Sequence, residues 1–169
     1  NDAVTPVNEP VLDAATRKER QVTFGAGPKT GADVSAMAGS GAWISDPAWS
    51  PDGKSAVFIR NRAVEVIDLA SGQTRKLHTA KGFSITSPSW SPDGKSIAFQ
   101  EDGGLYLIAP EGGEARRLGD KTDVFPFAAT WMSAGELLYT ANGRIWRTRL
   151  DGTSREIPFS AALKLDRPA

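Results

Sequence analysis

Seven consecutive residues, Trp49-Ser50-Pro51-Asp52-Gly53-Lys54-Ser55, return in the same order as Trp90-Ser91-Pro92-Asp93-Gly94-Lys95-Ser96, 41 positions downstream, and Trp131 stands a further 41 positions on. A period of that size, with one indole and one turn signal per copy, implies stacked supersecondary units, because a single copy cannot bury its own apolar faces. The first copy predicts short strands over 48–50, 55–59, 63–69 and 74–78. The second predicts them over 89–91, 97–100, 105–109 and 115–118. In the third, Met132-Ser133-Ala134-Gly135 replaces the Ser-Pro-Asp-Gly turn, and strands are expected over 136–140, 144–150 and 155–159. Leu77 and Leu118 stand 28 residues after their tryptophans but Ile157 only 26 after Trp131, so the third copy has lost two residues.

The turns support antiparallel pairing within each copy. Proline presets φ at the second turn position, aspartate tolerates the third, and glycine accepts positive φ at the fourth, so Pro51-Asp52-Gly53 and Pro92-Asp93-Gly94 reverse the chain at little cost. Val64-Glu65-Val66-Ile67 and Leu105-Tyr106-Leu107-Ile108 are rich in branched and aromatic residues, as half-buried strands prefer. Four antiparallel strands per copy at this period predict an all-β fold, a β-propeller of four-stranded blades with about three blades present, either a partial propeller or a half-ring. The expected blades span 45–79, 80–119 and a degenerate 120–160. Before them, 1–16 reads as an extended leader, and 17–44 as the outer strand of an incomplete blade, near Val22, followed by a glycine-rich loop. Residues 161–169 read as a tail or linker.

Propellers close with about four to eight blades, so three should leave a blade face uncovered at each end. Burying one tryptophan removes about 150–250 Å² from water, on the order of 4–6 kcal/mol, and an open seam is costly on that scale. The expected partners are therefore the remaining blades of the same parent chain or a second copy forming a homodimer. Trp49, Trp90 and Trp131 are expected in the seams between blades rather than on a ligand-stacking surface.

Twenty basic residues balance twenty acidic ones, so nothing in the overall charge favours nucleic acid. No run is long and apolar enough for a membrane span, and the first residues lack the basic and apolar regions of an export signal. The absence of cysteine excludes disulfides and thiolate metal sites.

The run Pro47-Ala48-Trp49-Ser50-Pro51-Asp52-Gly53-Lys54, then Val66-Ile67-Asp68-Leu69 and Arg75-Lys76-Leu77, resembles the repeat of TolB-like six-bladed propellers, and 88–118 matches it again. A narrower stretch is similar to the propeller region of exported amidohydrolases. It comprises Gly143-Arg144-Ile145-Trp146-Arg147, Leu150-Asp151-Gly152, Arg155-Glu156-Ile157-Pro158-Phe159-Ser160-Ala161 and Asp166-Arg167-Pro168. That resemblance implies a periplasmic or extracellular protein whose metal-dependent hydrolase domain lies outside these residues.

The chain's own residues offer little for catalysis. His78 is the sole histidine, too few for a metal-dependent hydrolase centre, and no Gly-x-Ser-x-Gly turn accompanies it for a serine triad; it reads as an exposed or satisfied surface side chain. One acidic residue per turn, Asp52 and Asp93, falls short of the roughly six to eight oxygens that calcium takes. No catalytic residue, metal or cofactor is expected. In four-stranded blades the second turns and the interblade links open on one face, which brings together Arg60, Arg62, Lys81, Phe83, Glu101, Asp102, Asp123 and Phe125 as a candidate binding rim for a protein or peptide. Three readings follow. The chain is a non-catalytic scaffold or interaction segment of an exported amidohydrolase-type protein, a stand-alone half-propeller that homodimerises and binds a protein or peptide, or the cap of an α/β-hydrolase peptidase.

Overall fold

The computed structural model describes residues 6–12, 19–26 and 44–160, with side chains from residue 47 onward. Among the described residues there are fourteen strands and no helix. The first blade is a sheet of β3 (Ile44–Trp49), β4 (Ser55–Arg60), β5 (Ala63–Asp68) and β6 (Thr74–Thr79) in that order. The second consists of β7 (Ile85–Trp90), β8 (Ile97–Glu101), β9 (Gly104–Ile108) and β10 (Arg116–Arg117). The third consists of β11 (Thr130–Ser133), β12 (Glu136–Ala141), β13 (Arg144–Arg149) and β14 (Ser154–Ile157). All three are antiparallel meanders, as the turn chemistry predicts.

Strand pairing locates the third copy's two missing residues. Trp49 pairs with Ala56 and Trp90 with Ile97, but Trp131 pairs with Leu137, so one residue is gone from the first turn. Ile67 pairs with Thr74 whereas Thr148 pairs with Ser154, so the other is gone from the third turn. Both deletions fall where the chain reverses, and the pairing between them is kept.

The second blade packs on both faces. Val57, Ile59, Val64, Val66 and Leu77 of the first blade pack against Ile85, Ile97, Phe99 and Ile108 of the second. Ala98, Leu105, Leu107 and Leu118 on the opposite face of the second pack against Leu137, Tyr139 and Ala141 of the third, with Val124 and Ala129 from the link. The indoles stitch these seams. Trp90 Nε1 donates to the Ala48 carbonyl at 3.1 Å and Trp131 Nε1 donates to Ser89 Oγ at 3.2 Å, so each tryptophan reaches back to the equivalent place in the preceding blade. Arginines reach forward. Arg75 donates to the Pro110 carbonyl and Arg116 to the Leu150 carbonyl at 2.8 Å, each capping the third turn of the next blade.

Two expectations about the N-terminal side are revised. Residues 6–12, read from sequence as part of an extended leader, form strand β1 (Pro6–Leu12), which pairs with β2 (Glu19–Ala26) from Pro6↔Ala26 to Leu12↔Glu19. Pro10 sits at the register shift after Glu9, where the ladder is already interrupted and an N–H is not needed. The first blade's far face is also not open along its whole width. Ala56, Phe58 and Ile67 are 1–4% exposed there, while Trp49 at the rim is 49% exposed. The glycine-rich loop and the tail, 27–43 and 161–169, lie outside the described residues.

Candidate interaction face

Three hairpin turns and two links meet on one side of the blades. The turns Asn61-Arg62, Asp102-Gly103 and Asn142-Gly143 each join a directly paired strand couple, and both residues of each have φ between 46° and 73°. Such two-residue turns match the strands' right-handed twist, and Asn or Asp followed by Gly tolerates the geometry. Arg62 is the exception, a long side chain held at φ 61°.

The links are tied to these turns. Ala80 N–H donates to the Arg62 carbonyl at 2.8 Å, Asp102 N–H to that of Ser84 at 3.1 Å, and Val124 N–H to that of Gly103 at 3.0 Å. Asp102 organises the first link: its Oδ1 accepts Phe83 N–H at 2.9 Å and Ser84 N–H at 3.0 Å. The Ser84 backbone donor above all, then that of Phe83, the Ser84 hydroxyl and the nearby Arg62 charge, hold the Asp102 carboxyl below the ordinary aspartate range. A Cβ on Gly82 would lie 1.3 Å from Asp102 Oδ2, so a larger residue there must displace this carboxylate from the link.

The eight rim residues therefore divide. Arg62, Lys81, Asp102 and Asp123 are exposed on the turns and links, and Phe83 and Phe125 are 98% and 53% exposed. Glu101 is buried and its oxygens are engaged, Oε1 by Lys81 N–H at 2.7 Å and Oε2 by His78 Nε2 at 2.6 Å. Arg60 turns away from the rim, over the Phe58 ring and into an ion pair with buried Glu65. His78 is satisfied but only 15% exposed, with its ring 5.2 Å from Phe99, so it is a seam residue and not a surface one. Phe127, absent from the sequence-derived rim, is 70% exposed with its ring 4.8 Å from that of Phe125. Two aromatics flanking Pro126 in a link were the available signal.

On the opposite side lie the repeated turns. Ser50 Oγ donates to Asp52 Oδ1 at 2.7 Å and accepts Ser55 N–H at 2.9 Å, and Ser91 does the same with Asp93 and Ser96 at the same distances. Lys54 and Lys95 N–H add to each carboxylate. Pro51, Asp52, Gly53, Pro92, Asp93 and Gly94 thus act as turn residues, and the cleft of about 260 Å³ between the two turns is lined by Ser50, Asp52, Ser55 and Asp93, whose side chains or N–H groups are engaged within the turns, together with Trp90 and the two prolines. Among the described residues no group of three or more His, Cys, Asp or Glu side chains is placed to hold a metal ion. No helix among the described residues is long and apolar enough to cross a membrane.

The blade geometry is shared with solved structures. TolB from Acinetobacter baumannii superposes with a TM-score of 0.64 at 22% identity, over 89% of this chain and 37% of that one. The fold is a TolB-like β-propeller, present here as three blades. An oligogalacturonate lyase in complex with manganese aligns over 88% of this chain and 47% of its own, with a TM-score of 0.59 and 16% identity. A β-propeller domain from Myceliophteria thermophila aligns over 68% of this chain and 39% of its own, with a TM-score of 0.55 and 18% identity. The chain therefore spans less than half the length of each of these propellers, and at such identities the likeness is one of fold. Neither a family model nor any curated protein matches it.

Proposed function

We propose that this chain is the non-catalytic TolB-like propeller portion of an exported protein of amidohydrolase type, acting as scaffold and interaction surface through the face that carries its links. The observation that carries the reading is the exposure of three aromatics, Phe83 on one link and the adjacent Phe125 and Phe127 on the next, on links pinned by Asp102 and by backbone bonds to neighbouring turns. Exposed aromatics on a rigid frame bind at low entropic cost and are enriched where proteins meet. Arg62 and Lys81 beside Asp102 and Asp123 give the rim both signs of charge, suited to a mixed protein or peptide surface rather than to nucleic acid.

The test is to place a photocrosslinking residue at 83 and 127 in the full parent polypeptide and map the products. Crosslinks from both positions to a histidine-rich hydrolase domain or to one protein partner are expected. A nucleophilic-serine domain as the target would make the chain an α/β-hydrolase cap, and crosslinks to solvent alone would overturn the reading. Pairing of two half-rings is less supported, because a second copy would have to dock on the far face of the first blade, where Phe58 and Ile67 are already covered. Light scattering should accordingly show no dimer held through that face.

A further inference from the structure

The outer face of the third blade departs from its own repeat at one cluster. Pairing makes Val66, Leu107 and Arg147 equivalent, opposite Val57, Ala98 and Leu138 respectively. Val66 and Leu107 are 6% and 3% exposed under the next blade. At the third position the apolar residue is an arginine, whose guanidinium pairs with Glu136 and whose Nε is buried without an acceptor. Arg155 stands directly opposite Arg147 across β13 and β14, and Arg149, two residues along the same face of β13, stands opposite Glu136. Like charges facing each other across a ladder are destabilising, so the sheet here carries an arrangement that its own folding does not favour. Glu136, Arg147, Arg149, Thr153 and Arg155 line a cleft of about 310 Å³ with three guanidiniums and a single carboxylate. Arg149 and Arg155 are exposed. An apolar blade of the kind seen at the other two seams would leave the surplus positive charge buried and unpaired, at a cost of several kcal/mol per ion.

We propose that this cleft is a binding site for a small oxyanion, a carboxylate or phosphate group held by the forks of Arg149 and Arg155, with Thr153 at its edge and Arg147 positioned behind by Glu136. Arginine suits this task because its planar fork matches an oxyanion with two parallel hydrogen bonds. The volume accommodates a group of sugar-acid or phosphate size and lies at the small end of ligand sites, about 300 Å³ and upward.

The site is tested by titrating the chain with inorganic phosphate, and separately with succinate, at constant ionic strength, reading isothermal calorimetry and thermal unfolding. Saturable binding of at least one of them is expected, with affinity reduced at least roughly tenfold in the Arg149→Gln/Arg155→Gln variant. The Arg149→Lys/Arg155→Lys variant keeps the charge but loses the forks, and should also bind more weakly than the parent. The Arg62→Gln variant, on the link face, should bind as the parent does. Far-ultraviolet circular dichroism confirms that the variants fold, since both arginines are exposed. Equal affinity in the parent and the glutamine variant, equal affinity in the parent and the lysine variant, or no saturation by either anion would each overturn the proposal.

Discussion

Ser50 and Ser91 each serve two groups at once, donating to the turn aspartate and accepting the N–H that opens the second strand. Ser91 is fully buried, so Ser91→Ala leaves Ser96 N–H without its partner and should cost about 1–3 kcal/mol, read as a lower midpoint in urea. The same hydroxyls are the largest cause of the lowered Asp52 and Asp93 carboxyls, followed by the lysine backbone donors. Because the folded-state values are depressed, these groups contribute stability that is complete above about pH 4 and is lost as pH falls through the lowered values. Thermal midpoints measured from pH 5 down to pH 2 should fall, and fall less steeply in a Ser50→Ala/Ser91→Ala variant. Gly82 is a different kind of constraint, one of space. A methyl group there displaces Asp102, releases Phe83 and Ser84 N–H, and should raise amide exchange across 81–84 while leaving the seams protected. The Pro-Asp-Gly turns were legible in the sequence because their chemistry is local. The crowding at Gly82 was not, because the atom a Cβ would meet lies 20 residues on.

At the level of strands, each seam combines apolar area with one directed indole bond. Trp90→Phe keeps most of the area but removes the donor to Ala48 and should cost about 1 kcal/mol, whereas Trp90→Ala should cost about 3–5 kcal/mol, checked by equilibrium unfolding. The sequence marked all three tryptophans as seam residues; Trp90 and Trp131 pack against the two cores as expected, but Trp49, with no described blade before it to reach back to, is half exposed. It placed Glu101 on the rim with Asp102 as part of the second turn, which opens on the link face. Glu101 is instead the last residue of β8, pointing into the seam toward His78, and only Asp102 enters the turn. A one-residue difference in where a strand ends separates a buried side chain from an exposed one.

For the molecule as a whole, the two ends are chemically unlike. The first blade's far face buries Ala56, Phe58 and Ile67 beside a single Arg60–Glu65 pair, while the third blade's outer face replaces a core residue with Arg147 and gathers Arg149 and Arg155 around it with Glu136 as the one carboxylate. Putting that chemistry inside a seam should be destructive: Leu107→Arg, with no acidic residue beside it, is expected to cost about 3–5 kcal/mol or to prevent folding, seen as loss of the cooperative thermal transition. By itself the sequence determined the number of blades, the order of their strands, their tight turns and the place of Trp90 and Trp131 in the seams. All of these follow from period, alternation and turn chemistry, which act between near neighbours. Only the tertiary structure decided that Pro6–Leu12 pairs as a strand, that Arg60 and Glu101 leave the rim, that Phe127 joins it, and that three arginines share one cleft. Those outcomes depend on which strand lies opposite which and on what the next blade covers, and neither is encoded in the spacing of residues along a single copy.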